Sequence, residues 1–152
     1  MQVQDVMTRG VAAVGQQTIV REAAMRMRQD NIGSIPIVED GRLLGVLTDR
    51  DIAVRVVAEA DANAEMPVRD VMSKGAYTVH EDDDIGAAAE LMARHQVRRL
   101  PVVDREEHLV GMVSLADLAQ EAPEAGKEAL TGISEPLDAG RRRQAPTDRG
   151  RR

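Results

Sequence analysis

The sequence predicts an α/β (α+β) protein built from two copies of one β-α-β-β-α unit, and three observations carry that prediction. First, the chain repeats itself sixty-five residues on. Asp5-Val6-Met7 returns as Asp70-Val71-Met72, Ala23, Ala24 and Met27 as Ala88, Ala89 and Met92, and Ile35-Pro36-Ile37-Val38 as Leu100-Pro101-Val102-Val103. After one inserted residue, Gly45-Val46-Leu47-Thr48 returns as Gly111-Met112-Val113-Ser114 and Asp51 as Asp117. Second, β-branched runs alternate within each copy with apolar stripes at helical spacing. Third, a copy of about 60 residues buries too little surface to be robust alone. The two copies in these 152 residues should therefore lean on each other, with function where they meet.

The elements follow in order. Val11 to Val14 reads as a short strand. Val20, Ala23, Ala24 and Met27 fall on one helical stripe, with Thr18, and its counterpart Asp83, at the expected N-cap. Ile35–Val38 and Leu43–Leu47 flank Asp40-Gly41 and predict a hairpin. Thr48 opens a second helix reaching about Glu59. Copy two repeats this with a strand near Tyr77–Val79, a helix from about Asp84 to His95, strands at 100–103 and 109–113, and a helix from Asp117. The boundaries predicted are 1–64 for copy one, 65–122 for copy two, and 123–152 for a C-terminal extension. There Pro123, Gly126, Gly132 and Pro136 interrupt the pattern, with one helical turn at Lys127–Leu130 and disorder from 141.

Composition excludes several function classes. There is no cysteine, so disulfides, thiolate catalysis and thiolate-bound zinc are ruled out. One tyrosine stands without phenylalanine or tryptophan, so any ligand base should be sandwiched by aliphatic side chains. No apolar run approaches membrane-spanning length, and a cytoplasmic location is the default expectation. Residues 1–140 hold 14 basic and 25 acidic side chains, whereas residues 141–152 hold six arginines against Asp148. The body should repel nucleic acid, and only the tail could attract it, weakly and without sequence preference.

The segment that carries chemistry is Gly45-Val46-Leu47-Thr48-Asp49-Arg50-Asp51 with its partner Gly111-Met112-Val113-Ser114-Leu115-Ala116-Asp117. In each, a strand ends in a hydroxyl residue and a carboxylate follows three positions later on the first helical turn. Amides of that turn lack intrahelical partners and favour negative charge. A carboxylate held there can accept hydrogen bonds from two vicinal hydroxyls, as on a ribose, and the Thr or Ser hydroxyl can serve the same sugar or a phosphate. Either segment alone is better explained as a capping box; their duplication at matched positions shifts the weight toward the receptor.

With its Asp-Val-Met openings, Ile35-Pro36 and Leu100-Pro101 strands and paired Gly-h-h-Thr/Ser-x-x-Asp segments (h, aliphatic), the chain resembles the cystathionine-β-synthase-type (CBS) domain family over about residues 1–121. It is similar to the tandem pair called a Bateman module, and to stand-alone bacterial stress-response members. The resemblance implies two units packed about a pseudo-twofold axis, with two clefts that in many members bind AMP, ADP, ATP or S-adenosylmethionine. Carried over, Asp51 and Asp117 would hold ribose hydroxyls, and Thr48 and Ser114 the sugar or α-phosphate. Ile35, Pro36, Leu100 and Pro101 would line the adenine, and backbone near Val11 and Ala76 would read its edge. Arg50 beside Thr48 makes the copy-one site the expected better anion receptor. Copy two carries Arg98 and Arg99 where copy one has Gly33 and Ser34. The resemblance also implies a homodimer.

Other candidates carry less. His80, His95 and His108 all lie in copy two without metal-ligand spacing, so no metal site is expected. Glu81–Asp84 reads as helix-start charge. No nucleophile elbow, phosphate loop or dinucleotide fingerprint is present; no catalytic residue is assigned and the chain is not expected to be an enzyme. The function expected is a regulatory module that requires no cofactor, senses an adenosine-type small molecule, and conveys its state to an unknown downstream protein. The alternative is a ligand-independent stress-response or interaction scaffold with empty clefts.

Overall fold

Copy one runs through β1 (Val14–Gly15), α1 (Val20–Asp30), β2 (Ser34–Glu39), β3 (Arg42–Thr48) and α2 (Asp49–Ile52). A two-residue strand, β4 (Ser73–Lys74), lies in the opening segment of copy two. Copy two runs through β5 (Val79–His80), α3 (Ile85–His95), β6 (Arg99–Val103), β7 (Leu109–Ser114) and α4 (Leu115–Glu121), and a fifth helix, α5 (Pro123–Ser134), follows. The computed structural model of the chain describes residues 1–136. The arginine-rich tail, and the expectations attached to it, lie outside those residues.

Local chemistry explains most boundaries. Val20, Ala23 and Met27 are buried on α1, as are Ala88, Ala89 and Met92 on α3. Both helices stop at a left-handed residue, Asn31 (φ 52) and Gln96 (φ 54). The first hairpin turns on Asp40 and Gly41, both at positive φ, as a two-residue turn matched to strand twist requires. The expected caps shift by one residue. The N-caps are Ile19 and Asp84, because the Thr18 carbonyl accepts the Val68 amide at 2.7 Å and Asp83 accepts the His80 amide. The second helix of copy one widens after Ile52 into a π-helical turn, Ala53–Val57, and stops before Glu59.

The copies exchange their opening segments. A lone β-α-β-β-α unit leaves the outer edge of its third strand unpaired. In copy one that edge pairs with β4, Val46 opposite Ser73. In copy two it is met by the other terminus, where Thr8 and Met112 exchange amide–carbonyl bonds of 2.8 and 3.0 Å. Val3 and Val6 accordingly lie in the core of copy two, while Val68, Val71 and Met72 lie in that of copy one. The repeat glycines permit this approach. A Cβ on Gly45 would sit 2.5 Å from the Ser73 carbonyl oxygen, and one on Gly111 would sit 2.6 Å from that of Thr8.

The C-terminal extension corrects the expectation of a single helical turn. Pro123 occupies the first turn of α5, where its missing N–H costs nothing. Gly126 and Gly132 let α5 lie directly on Ala119 of α4 and Ala93 of α3, and Ala129 of α5 is fully buried. These glycines serve close helix contact, not chain breaking.

Candidate functional site

Both hydroxyl-to-carboxylate segments form the same local device. The Thr48 amide donates to Asp51 Oδ2 (2.9 Å) and the Asp51 amide to Thr48 Oγ1 (3.0 Å). The Ser114 amide likewise donates to Asp117 Oδ2 (2.8 Å) and the Asp117 amide to Ser114 Oγ (3.1 Å). Each pair is a reciprocal capping box. The structural role is therefore real in both copies, and one oxygen of each carboxylate is committed to it.

The difference lies in the second oxygen. Asp51 Oδ1 accepts from Ser73 Oγ at 3.2 Å and has Arg55 Nε 4.0 Å away. Arg55 is itself tied to the Val71 and Met72 carbonyls. Copy two has Glu121 at the Arg55 position, and among the described residues Asp117 Oδ1 has no hydrogen-bond partner.

Asp117 and Ser114 line a cavity of about 380 Å³ that draws on both copies. Its apolar walls are Val11, Ala12, Ile32 and Pro36 of copy one with Met112 of copy two. Its polar groups are Thr8, Asp30, Ser34, Arg99, Ser114 and Asp117. The exchange of opening segments builds it: the Thr8–Met112 pairing carries Val11 and Ala12 across to the β7 edge. Arg99 stands opposite Ser114 in the β6–β7 register, and both line the cavity. Aliphatic walls enclosing a few convergent polar groups are the usual make-up of a small-molecule site.

The expected residues divide accordingly. Val11, Pro36, Ser114 and Asp117 come together in this cavity. Thr48 and Asp51 form the matching capping box at the repeat-related position in copy one. Ile35 and Leu100 are not among the residues that line this cavity. Strand alternation that turns Ser34 and Pro36 toward the cleft turns Ile35 and Ile37 into the core, at 0% exposure, and Leu100 is buried likewise. Pro101 is buried and Ala76 half-buried in the repeat positions of Pro36 and Val11. Arg50 is exposed, its amide bonded to the Asp49 side chain; the cation of the described cavity is Arg99. Thr8, Ala12, Asp30, Ile32, Ser34 and Met112 were missed, although Thr8 and Ser73 follow the Asp-Val-Met openings as matched hydroxyl residues.

Two other features gather polar groups. An open groove of about 1090 Å³ between α3 and α5 is edged by charged side chains of both helices, among them Glu90, Arg94, Lys127 and Glu128. In the second hairpin, Asp104, Glu106 and His108 bring three potential ligand atoms within 4.8 Å of one another. Two of the three histidines thus lie beside carboxylates, since His80 Nε2 is 3.5 Å from Glu107. The hairpin explains that cluster: the His108 and Glu106 amides donate to Asp104 Oδ1 at 2.9 Å each. Those bonds, that of His108 foremost, hold the Asp104 carboxyl below the ordinary aspartate range. No helix among the described residues is long and apolar enough to cross a membrane.

Comparison with known proteins agrees with this architecture. A family model, the CBS domain, matches residues 3–58 and again 68–124. The CBS domain-containing protein YhcV of Bacillus subtilis is 46% identical over 134 residues, covering 87% of this chain and 94% of that one. Hypoxic response protein 1 of Mycobacterium tuberculosis is 38% identical over 121 residues, covering 79% and 84%. The crystal structure of Hypoxic Response Protein I with two coordinated zinc ions superposes with a TM-score of 0.73 at 36% identity over 81% of this chain and 100% of that one. The CBS domain pair of protein MJ0100, in complex with 5′-methylthioadenosine and S-adenosyl-L-methionine, gives 0.70 at 26% identity, covering 82% and 97%. CBS domain protein PAE2072 from Pyrobaculum aerophilum, complexed with AMP, gives 0.71 at 25%, covering 88% and 98%. Two matched copies, each completed by the other's opening segment, leave no part of the unit unaccounted for, and the chain belongs to the CBS domain family as a tandem pair.

Proposed function

We propose that this CBS pair is a regulatory module that binds an adenosine nucleotide, of the AMP class, in the cleft at Ser114 and Asp117. One observation carries the proposal: Asp117 is anchored through Oδ2 to the helix start, while Oδ1 is left as an unused acceptor in a cavity with aliphatic walls. Vicinal ribose hydroxyls would donate to Oδ1. Adenine would lie among Val11, Ala12, Ile32, Pro36 and Met112, and the phosphate would take Arg99 with the Ser114 hydroxyl. One guanidinium set against Asp30 and Asp117 suits a single phosphate better than a triphosphate chain. The AMP complex of PAE2072 and the adenosine-compound complexes of the MJ0100 pair support the ligand class.

Binding would regulate only by preferring one arrangement of the copies over another, and a cleft with walls from both copies is placed to do that. A homodimer fits the same scheme. Met25, Val54 and Val57 are exposed on the copy-one helices, where no counterpart of α5 covers them among the described residues. A second chain would cover them, and a downstream protein would read the assembly.

Thermal unfolding with AMP, ADP, ATP, NADH and S-adenosylmethionine tests the proposal. Ligand at 100 times its Kd stabilises by about 2.7 kcal/mol, an upward shift of roughly 5–10 °C for a chain of this size. AMP should give the largest shift. A flat panel at millimolar ligand would replace the sensor with a ligand-independent scaffold.

A further inference from the structure

The pseudo-twofold relation between the copies puts a counterpart of the Asp117 cavity at Thr48 and Asp51, with a different lining. Ala12 and Asp30 line the cavity at Asp117. Their repeat counterparts, sixty-five residues on, are Tyr77 and His95. Those two rings lie face to face, with centroids 3.6 Å apart and planes 10° from parallel. A methyl group and a carboxylate on one side of the pseudo-twofold axis are thus replaced by two stacked rings on the other. The ring spacing is close to that of a base on an aromatic partner, so the stack gives itself the face contact an adenine would otherwise make. The sugar end is engaged as well, by Ser73 and Arg55 on Asp51.

We propose that the Tyr77–His95 stack is an internal stopper that closes the copy-one cleft, so that each chain takes a single adenosine nucleotide, at Asp117. This rests on the ligand class proposed above, but its claim is separate: the unequal clefts are set by which copy carries the aromatic pair, not by the acceptor carboxylate, which both possess. Tyr77 is half exposed and supports no core, so truncating it should leave the fold intact. The Ser73–Asp51 contact of 3.2 Å is long for a bond between oxygens, and a ribose hydroxyl can take its place.

Calorimetric titration of AMP into the full chain and its variants tests the stopper. Wild type should bind one AMP per chain and Tyr77→Ala two, and the double variant Tyr77→Ala/Asp51→Ala should return to one. The converse change, Ala12→Tyr, should reduce wild-type binding to none. Unchanged stoichiometry in Tyr77→Ala while wild type binds would overturn the stopper and leave the ligand class standing. Binding in Tyr77→Ala but not in wild type would keep the stopper and overturn the Asp117 assignment. No binding to either protein would overturn both.

Discussion

Replacing Asp117 by alanine should weaken AMP binding roughly ten- to hundredfold, while replacing Asp51 should leave it within about twofold. Hydrogen bonds to a charged group contribute roughly 1.5–3 kcal/mol, and about 1.4 kcal/mol corresponds to a factor of ten in affinity. Both carboxylates close a capping box, so each substitution removes a helix cap and costs about 1 kcal/mol of stability. That shared cost makes Asp51→Ala an internal control. A protein that merely unfolds more easily would show the same change in both variants; a protein that has lost its ribose acceptor would show it in one. Isothermal calorimetry on the two variants, beside their unfolding curves, separates these. Equal losses of affinity would mean that the cavity at Asp117 has no privileged role.

A comparable effect on stability is expected from Gly111→Ala. The added Cβ would stand 2.6 Å from the Thr8 carbonyl oxygen, a backbone atom that cannot turn aside. Forcing atoms into so close a contact costs roughly 1–3 kcal/mol, or a fall in Tm of roughly 3–10 °C for this chain length. Gly45→Ala should cost a similar amount through the Ser73 carbonyl, 2.5 Å away. Gly15→Ala is the control, because the nearest atom to its Cβ is 4.0 Å distant. The two damaging variants should part on binding. Gly111→Ala displaces Thr8, which lines the Asp117 cavity, and should lower AMP affinity; Gly45→Ala disturbs only the counterpart cleft. Matching stability among all three variants would argue against exchanged opening segments.

Much of this was legible in the sequence, and the gaps have physical causes. The duplicated Gly-h-h-Thr/Ser-x-x-Asp segment names the acceptor carboxylates because its chemistry is local: strand end, hydroxyl and helix start follow one another in the chain. The walls of the cleft are not local. Pro36 and Asp117 meet only because Thr8 crosses to Met112, a pairing between residues about a hundred positions apart. The signal for it was present in two forms. A unit of one parallel and one antiparallel pairing leaves an edge that must be met by something, and the repeat glycines mark where a backbone comes close. Ile35 and Leu100 are buried in the core and absent from the cavity lining, because a strand sends the two members of an Ile/Leu-Pro pair to opposite faces. Helix α5 was hidden because Gly126 and Gly132 resemble chain breakers, and only Ala119 and Ala93 across the interface show why glycine is there.

The central claim is that one ligand touches both copies at once. Amide chemical shifts followed during an AMP titration of the isotope-labelled chain test it most directly. A single saturating set of perturbations is expected, in which Thr8, Val11 and Ala12 move in step with Arg99, Ser114 and Asp117, while Thr48 and Asp51 stay in place. Perturbations confined to one copy, or centred on Thr48 and Asp51, would contradict it.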